Sequence, residues 1–176
     1  MRYVMPMAKR LARAANIPVL YVNDNHGKWQ SDFNELIDRC LQEGVRGKEL
    51  VETLRPDEND YFVLEPKHSG FFSTTLEVLL EYLNVRTVIL TGLAGNICIL
   101  FTANDAHMRD PRLIVPSDCC ASNEASDNEY ALAQMRTILK ADIRPSTELD
   151  LKQIIAEAGQ LCARGAVVPA AGARPA

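Results

Sequence analysis

The stretch VILTGLAGNICILF, residues 88–101, sets a cysteine where a thiol can do chemistry. A β-branched apolar run enters Gly92, and a helical pattern begins around Cys98. In the first turn of such a helix the backbone N–H groups lack intrahelical partners, and the dipole favours negative charge. A thiol there can have a lowered pKa, and its thiolate is a competent nucleophile. The same N–H groups can receive the oxyanion of an acyl transfer. Gly92 and Gly95 let the backbone turn tightly and approach a ligand closely. The competing reading is a core residue, since free cysteine is among the most buried residue types.

Lys67 is the second candidate. In VLEPKHSGFF it stands just past the carboxyl end of a strand, on the rim that Cys98 would share in a parallel sheet. An ammonium there would stabilise a thiolate and could pass a proton to a leaving group; the competing reading is a solvated surface lysine. Asp24 ends another strand pattern, and it can act as a carboxylate or simply hold its loop through local turn bonds. Trp29, Phe33, Phe71 and Phe72 fall in two loops that would overhang the thiol. Trp29, between Lys28 and Gln30, and Phe71 are candidates for the apolar wall of a substrate pocket, whereas Phe33 and Phe72 fit core packing better.

These residues need a scaffold, and the pattern supplies one. IPVLYVN (17–23), DYFVLEP (60–66), RTVILTG (86–92) and RLIVPSD (112–118) read as strands, with a short edge strand at 141–145. Helices are expected over 31–44, 73–84, from about Cys98, over 122–141 and over 148–162, each with apolar residues at helical spacing. Near-continuous apolar strands alternating with helices imply a three-layer α/β/α fold, a mostly parallel sheet with helices on both faces. Ligands then sit beyond the carboxyl ends of the strands. One domain over 1–162 is expected, with an Ala/Pro/Gly-rich, disordered tail at 163–176.

Composition narrows the function classes. The 176 residues are 47% hydrophobic and 24% charged, with a formal net charge of -4, as in an ordinary soluble globular domain. No basic block interleaves with aromatics, which argues against a nucleic-acid partner. No apolar run approaches the ~18 residues of a membrane span. Five cysteines form no C-x-x-C pair, so a reduced, cytoplasmic chain is the better reading than a disulfide framework. The basic start, MRYVMPMAKRLARAANIPVL, reads as an amphipathic surface helix; an organelle presequence would be rich in serine, and this stretch has none. There is no G-x-G-x-x-G and no phosphate loop, so a dinucleotide-binding domain is a weak alternative.

Taken in order, PKHSGFFSTTLEVLLEYLNVRTVILTG, TGLAGNICILFTANDAHMRD and RLIVPSDCCAS resemble the isochorismatase-like cysteine hydrolases, with YVNDNHGKWQSDF similar to the loop after the family's second strand. The match runs from about residue 17 to 146. The resemblance implies that Cys98 is the nucleophile and Lys67 the family lysine. It implies that the Leu93–Ala94 peptide is a non-proline cis bond and that the N–H groups of Ala94 and Cys98 form the oxyanion hole. The implied activity is hydrolysis of a C–N bond in a small amide or ureido compound through a thioester, without a cofactor, by a homo-oligomer. Asp24 and His26 share the D-x-H form of nicotinamidase metal ligands, but the further histidines are missing from that loop, and a zinc site needs three or four convergent ligands. No metal is expected, and His26 is left as a candidate substrate contact.

The chain departs from the family pattern in two places. The family's third catalytic residue is an aspartate closing a first strand of the form hhhIDxQxDF, and no such stretch occurs here. Without it the thiol lacks an obvious base, and the sheet would be short at its N-terminal side, with open ladders flanking a missing central strand. Asp24 is the nearest substitute. Gly95 stands where many members have threonine. A catalytically impaired member or fragment serving as a scaffold or interaction protein is therefore the alternative function.

Overall fold

The computed structural model describes residues 4–24, 33–45 and 47–165. Helix α1 (Val4–Ala14) leads into strand β1 (Leu20–Asp24), followed by α2 (Phe33–Cys40), α3 (Lys48–Leu54) and β2 (Tyr61–Glu65). Then come α4 (Leu76–Tyr82), β3 (Thr87–Ile89), β4 (Gly92–Leu93), a π-helical turn over Gly95–Ile99, and α5 (Leu100–His107). Strands β5 (Arg112–Ile114) and β6 (Cys120–Ala121) and helices α6 (Ala125–Thr137) and α7 (Leu151–Gly165) complete the order.

Strand pairing is parallel throughout, as the alternating pattern requires. β1 pairs with β2 from Leu20↔Tyr61 to Asp24↔Glu65. β3 pairs with β5 from Thr87↔Arg112 to Ile89↔Ile114, and β4 pairs with β6 through Gly92↔Cys120 and Leu93↔Ala121. Among the described residues these are separate two-stranded ladders, and no ladder joins β2 to β3. Each element pair still faces one core, in which Val63, Phe71, Leu76, Ile99, Ala103 and Met135 are buried together. Small residues on α5 make this close packing workable: Ala103 and Ala106 are fully buried, as is Ala131 on α6.

Several elements differ from the sequence expectation for local reasons. The edge strand at 141–145 contracts to a single bridge, Ile114↔Asp142. Val115 N–H donates to the Asp142 carbonyl at 2.8 Å, but Asp142 then binds Arg144 through its own side chain, and Pro145 follows. A proline cannot extend the ladder. Helix α6 begins at Ala125 rather than at 122, because the Ser122 hydroxyl accepts the Asn96 N–H at 3.0 Å instead of capping its own helix. That helix stops at Thr137, and Lys140 takes a left-handed φ of 57°. Helix α3 was not expected: it is short, and its apolar residues Leu50, Val51 and Leu54 are only half-buried. Strand β6 lies in a stretch read as loop. The last helix covers 151–165 in place of 148–162, which moves residues 163–165 out of the expected disordered tail. The remainder of that tail lies outside the described residues.

Charge pairing docks α1. Asp60 is 6% exposed at its side chain and pairs with Arg13 and, at 3.8 Å, with Lys9, which is 9% exposed. Arg13 also pairs with Asp57, and the Asp57 N–H donates to the Asp60 carboxylate at 2.9 Å. Removing one partner from a buried charge cluster leaves uncompensated charge behind. Asp60→Ala is therefore expected to cost about 3 kcal/mol, read as a lower urea midpoint with an unchanged slope.

Gly95 is required by packing rather than by its backbone angle. A Cβ added there would fall 2.2 Å from Asn128 Oδ1 and 3.2 Å from Ser122 Oγ. Asn128 occupies that space while its amide reaches the Cys120 carbonyl and its oxygen accepts from Ser122. Gly95→Ala is expected to destabilise by about 1–2 kcal/mol. In a double-mutant cycle the cost should shrink by about 1 kcal/mol in an Asn128→Ala background; strict additivity of the two changes would contradict this account.

Candidate active site

The parallel register of β1 with β2 sets the first part of the site. Asp24 and Glu65 are register partners at the carboxyl ends of the two strands, so two carboxylates stand on neighbouring strand ends. Along β2 the odd positions turn inward: Val63 is 3% exposed and Glu65 is also 3% exposed, while Phe62 is 50% exposed. Pro66 follows Glu65 and the strand ends there. Lys67, which would have been the next inward position, is exposed.

The segment after β2 is tied down onto α5. Ser69, buried, donates its hydroxyl to Asp105, and the Gly70 N–H donates to Thr102 Oγ1 at 2.9 Å. The Phe71 N–H in turn donates to Ser69 Oγ at 3.2 Å. These bonds hold the end of β2 against the helix that begins at the cysteine. Phe71 is buried in the core cluster, with the Arg109 guanidinium 4.7 Å from its ring centre. Phe71, Leu80, Val88 and Arg109 line a cleft of about 400 Å³ that does not include Cys98.

Cys98 is half-buried in the π-helical turn after β4. Gly92 takes a φ of 139° at the start of this junction, a conformation open to glycine and strained for other residues. The Leu93–Ala94 peptide is cis. The Ala94 backbone N–H lies beside the Cys98 sulfur, where its positive end favours the thiolate.

The side chain brought to the thiol is Glu65, which the sequence reading did not single out. The groups that bear on the charge of Glu65 are Cys98, Asp24 and His68. Glu65 Oε1 is buried, with no hydrogen-bond partner among the described residues. Burial raises the Glu65 pKa most; the Asp24 charge raises it further, and Cys98 and His68 act in the other direction. The period-two alternation of YFVLE was the available signal, since it puts Glu65 on the face that Val63 buries.

The thiol pKa moves opposite to the sequence expectation. Burial is the largest influence, and Glu65 and Asp24 add to it, lifting Cys98 to about 11 against the smaller pull of the Ala94 N–H. A helix terminus lowers a thiol pKa only where its dipole is not outweighed. Here burial, with two carboxylates adding to it, outweighs it, and the thiol is protonated at neutral pH. The other perturbed thiols, Cys119 and Cys120, are buried and lie at about 11 and about 12.

Of the remaining sequence candidates, His26 and Trp29 lie outside the described residues. His68 packs its ring 5.9 Å from that of Phe101. Among the described residues no group of three or more His, Cys, Asp and Glu side chains is arranged to hold a metal ion, and no helix is long and apolar enough to cross a membrane.

Comparison with known proteins agrees with this arrangement of parallel strands and helices. The isochorismatase domain model matches residues 1–143. The uncharacterized isochorismatase family protein YaaI of Bacillus subtilis is 45% identical over 141 residues, which is 80% of this chain and 77% of the relative. The ureidoacrylate amidohydrolase RutB of Methylorubrum extorquens is 34% identical over 104 residues, and the match spans 59% of this chain but only 41% of that protein. Among solved structures, the N-carbamoylsarcosine amidase of Thermoplasma acidophilum superposes with a TM-score of 0.64 at 30% identity, covering 85% of this chain and 86% of the other. An isochorismatase family protein of Desulfovibrio vulgaris gives a TM-score of 0.70 at 26% identity, covering 88% and 84%. With a thiol at the strand–helix junction and a matching domain model over most of its length, the chain belongs to the isochorismatase family.

Proposed function

We propose that the protein is a cysteine hydrolase that cleaves a C–N bond in a small amide or ureido compound. The observation that carries this reading is the position of Cys98, in the turn beyond the carboxyl end of β4 with the Ala94 N–H beside its sulfur. In this reading the sulfur attacks the substrate carbonyl, and the Ala94 N–H, together with that of Cys98, receives the developing oxyanion. The amine leaves, and water releases the acid from the thioester. Two relatives with names of the same chemical kind, an N-carbamoylsarcosine amidase and a ureidoacrylate amidohydrolase, support the C–N class.

A second reading has its own observation. Burial of the thiol and two carboxylates that bear on it suppress the thiolate. An impaired relative that serves as a scaffold or interaction protein would tolerate this. Exposed Lys67 adds to this reading, because a solvated ammonium does little to stabilise a neighbouring charge.

The two readings separate on one substitution. Cys98→Ala is expected to abolish release of ammonia or amine from a panel of ureido acids and small primary amides while leaving the thermal unfolding midpoint within a few degrees. Turnover that survives the substitution unchanged would rule out the cysteine hydrolase reading.

A further inference from the structure

The turn after β2 holds a histidine in an unfavourable conformation. The Ser69 N–H donates to the Lys67 carbonyl at 2.6 Å, which closes a three-residue turn centred on His68, whose φ is 56°. A γ-turn of this handedness is rare and strained. Strained backbone persists where its surroundings enforce it, and it clusters at active sites and ligand clamps.

Here the surroundings are the helix that carries the thiol. Cys98, Phe101, Thr102 and Asp105 are spaced i, i+3, i+4 and i+7, so they share one face of the π-helical turn and α5. The segment 68–70 lies along that face. The His68 ring packs 5.9 Å from that of Phe101, the Ser69 hydroxyl donates to Asp105, and the Gly70 N–H donates to Thr102 Oγ1 at 2.9 Å. His68 is thereby seated toward the Cys98 end of the stripe. His68 and Lys67 are both exposed, and among the described residues neither side chain makes a hydrogen bond or ion pair with a carboxylate. The nearby acids are engaged or enclosed: Asp105 holds Ser69, and Glu65 is 3% exposed.

We propose that His68 and Lys67 form an anion subsite beside Cys98, which selects amides or ureido compounds that carry a carboxylate remote from the scissile bond. The inference rests on the reading of Cys98 as nucleophile and adds what the rest of the substrate must carry. An imidazole offers an N–H donor in either protonation state, and an ammonium offers three. A carboxylate accepts from both, and bonds to an ionised group are the stronger kind. The latched turn fixes where the imidazole stands, so a bound carboxylate also sets where the substrate carbonyl lies relative to sulfur. From Cys98 past Phe101 to His68 the span is on the order of 10 Å, which suits a substrate with a few bonds between carbonyl and carboxylate. Without these donors, the two carboxylates that bear on the thiol would repel such a substrate.

The test labels Cys98 in the full chain with N-ethylmaleimide and with β-maleimidopropionate, which share a reacting group and differ by a carboxylate. Peptide mass spectrometry gives the rate at Cys98 for each reagent, and their ratio cancels the thiolate fraction common to both. His68→Gly removes the imidazole while keeping the turn, since glycine takes a positive φ readily. The anionic-to-neutral ratio should fall about threefold in His68→Gly and about threefold in Lys67→Gln, and further in the double variant. A ratio unchanged by His68→Gly, or lowered by Lys67→Gln alone, would make the histidine a turn residue only and overturn the inference while the nucleophile stands. In the wild-type protein the ratio should also fall as salt rises, because screening weakens attraction. A ratio that rises with salt would mark the surroundings of the thiol as repulsive to anions and overturn the inference without any variant. Absence of labelling at Cys98 by either reagent would overturn the nucleophile reading itself, and this inference with it.

Discussion

The contact between a buried carboxylate and a half-buried thiol is the constraint around which this structure is arranged. Glu65 can be buried only because β2 ends there, against β1 on one side and the Cys98 turn on the other. Among the described residues no cation pairs with this carboxylate. Burial raises its pKa most, and Cys98 and His68 act in the other direction. Such an arrangement stores a high proton affinity next to sulfur, which is a different electrostatic solution from a thiolate held by an ammonium.

The scaffold around the site is built from hydrogen bonds that the side chains of α5 make to the loop after β2. Ser69 reaches Asp105, and Thr102 accepts from Gly70, so the loop after β2 and the helix after the cysteine are bound to each other. A similar device closes the far side, where Ser122 accepts from Asn96 and Asn128 fills the space left open by Gly95. Buried polar groups satisfied in this way specify one geometry, because each lost bond would leave a donor or acceptor dry. Any side chain at position 95 would compete with Asn128 for the same volume, so the two positions are best regarded as one packing unit.

The sheet itself is held less tightly than its site. Short ladders of two strands each, with no ladder from β2 to β3 among the described residues, mean that the shared core carries more of the cohesion than the backbone pairing does. Fully buried Ala103, Ala106, Ala131 and Met135 supply that core by letting α5 and α6 approach closely. The family relationship fits this view, since a fold can be preserved through core volume and helix packing while strand lengths vary.

What the sequence alone determined was the alternation of strands and helices, the parallel class of the sheet and the place of Cys98 at a strand–helix junction. Those features are local: apolar runs, helical periodicity and glycine at a turn are written within a few residues of where they act. The family resemblance came from the same ordered motifs. The tertiary structure decided which charge faces the thiol. The family resemblance put Lys67 beside the thiol; in the structure β2 ends before Pro66, with Glu65 as its last inward side chain and Lys67 exposed. Asp24, the neighbour of Glu65, lies 41 positions away in sequence but opposite in register. The direction of the Cys98 pKa follows from that juxtaposition, and a field summed over groups from three separate segments is not contained in any one of them.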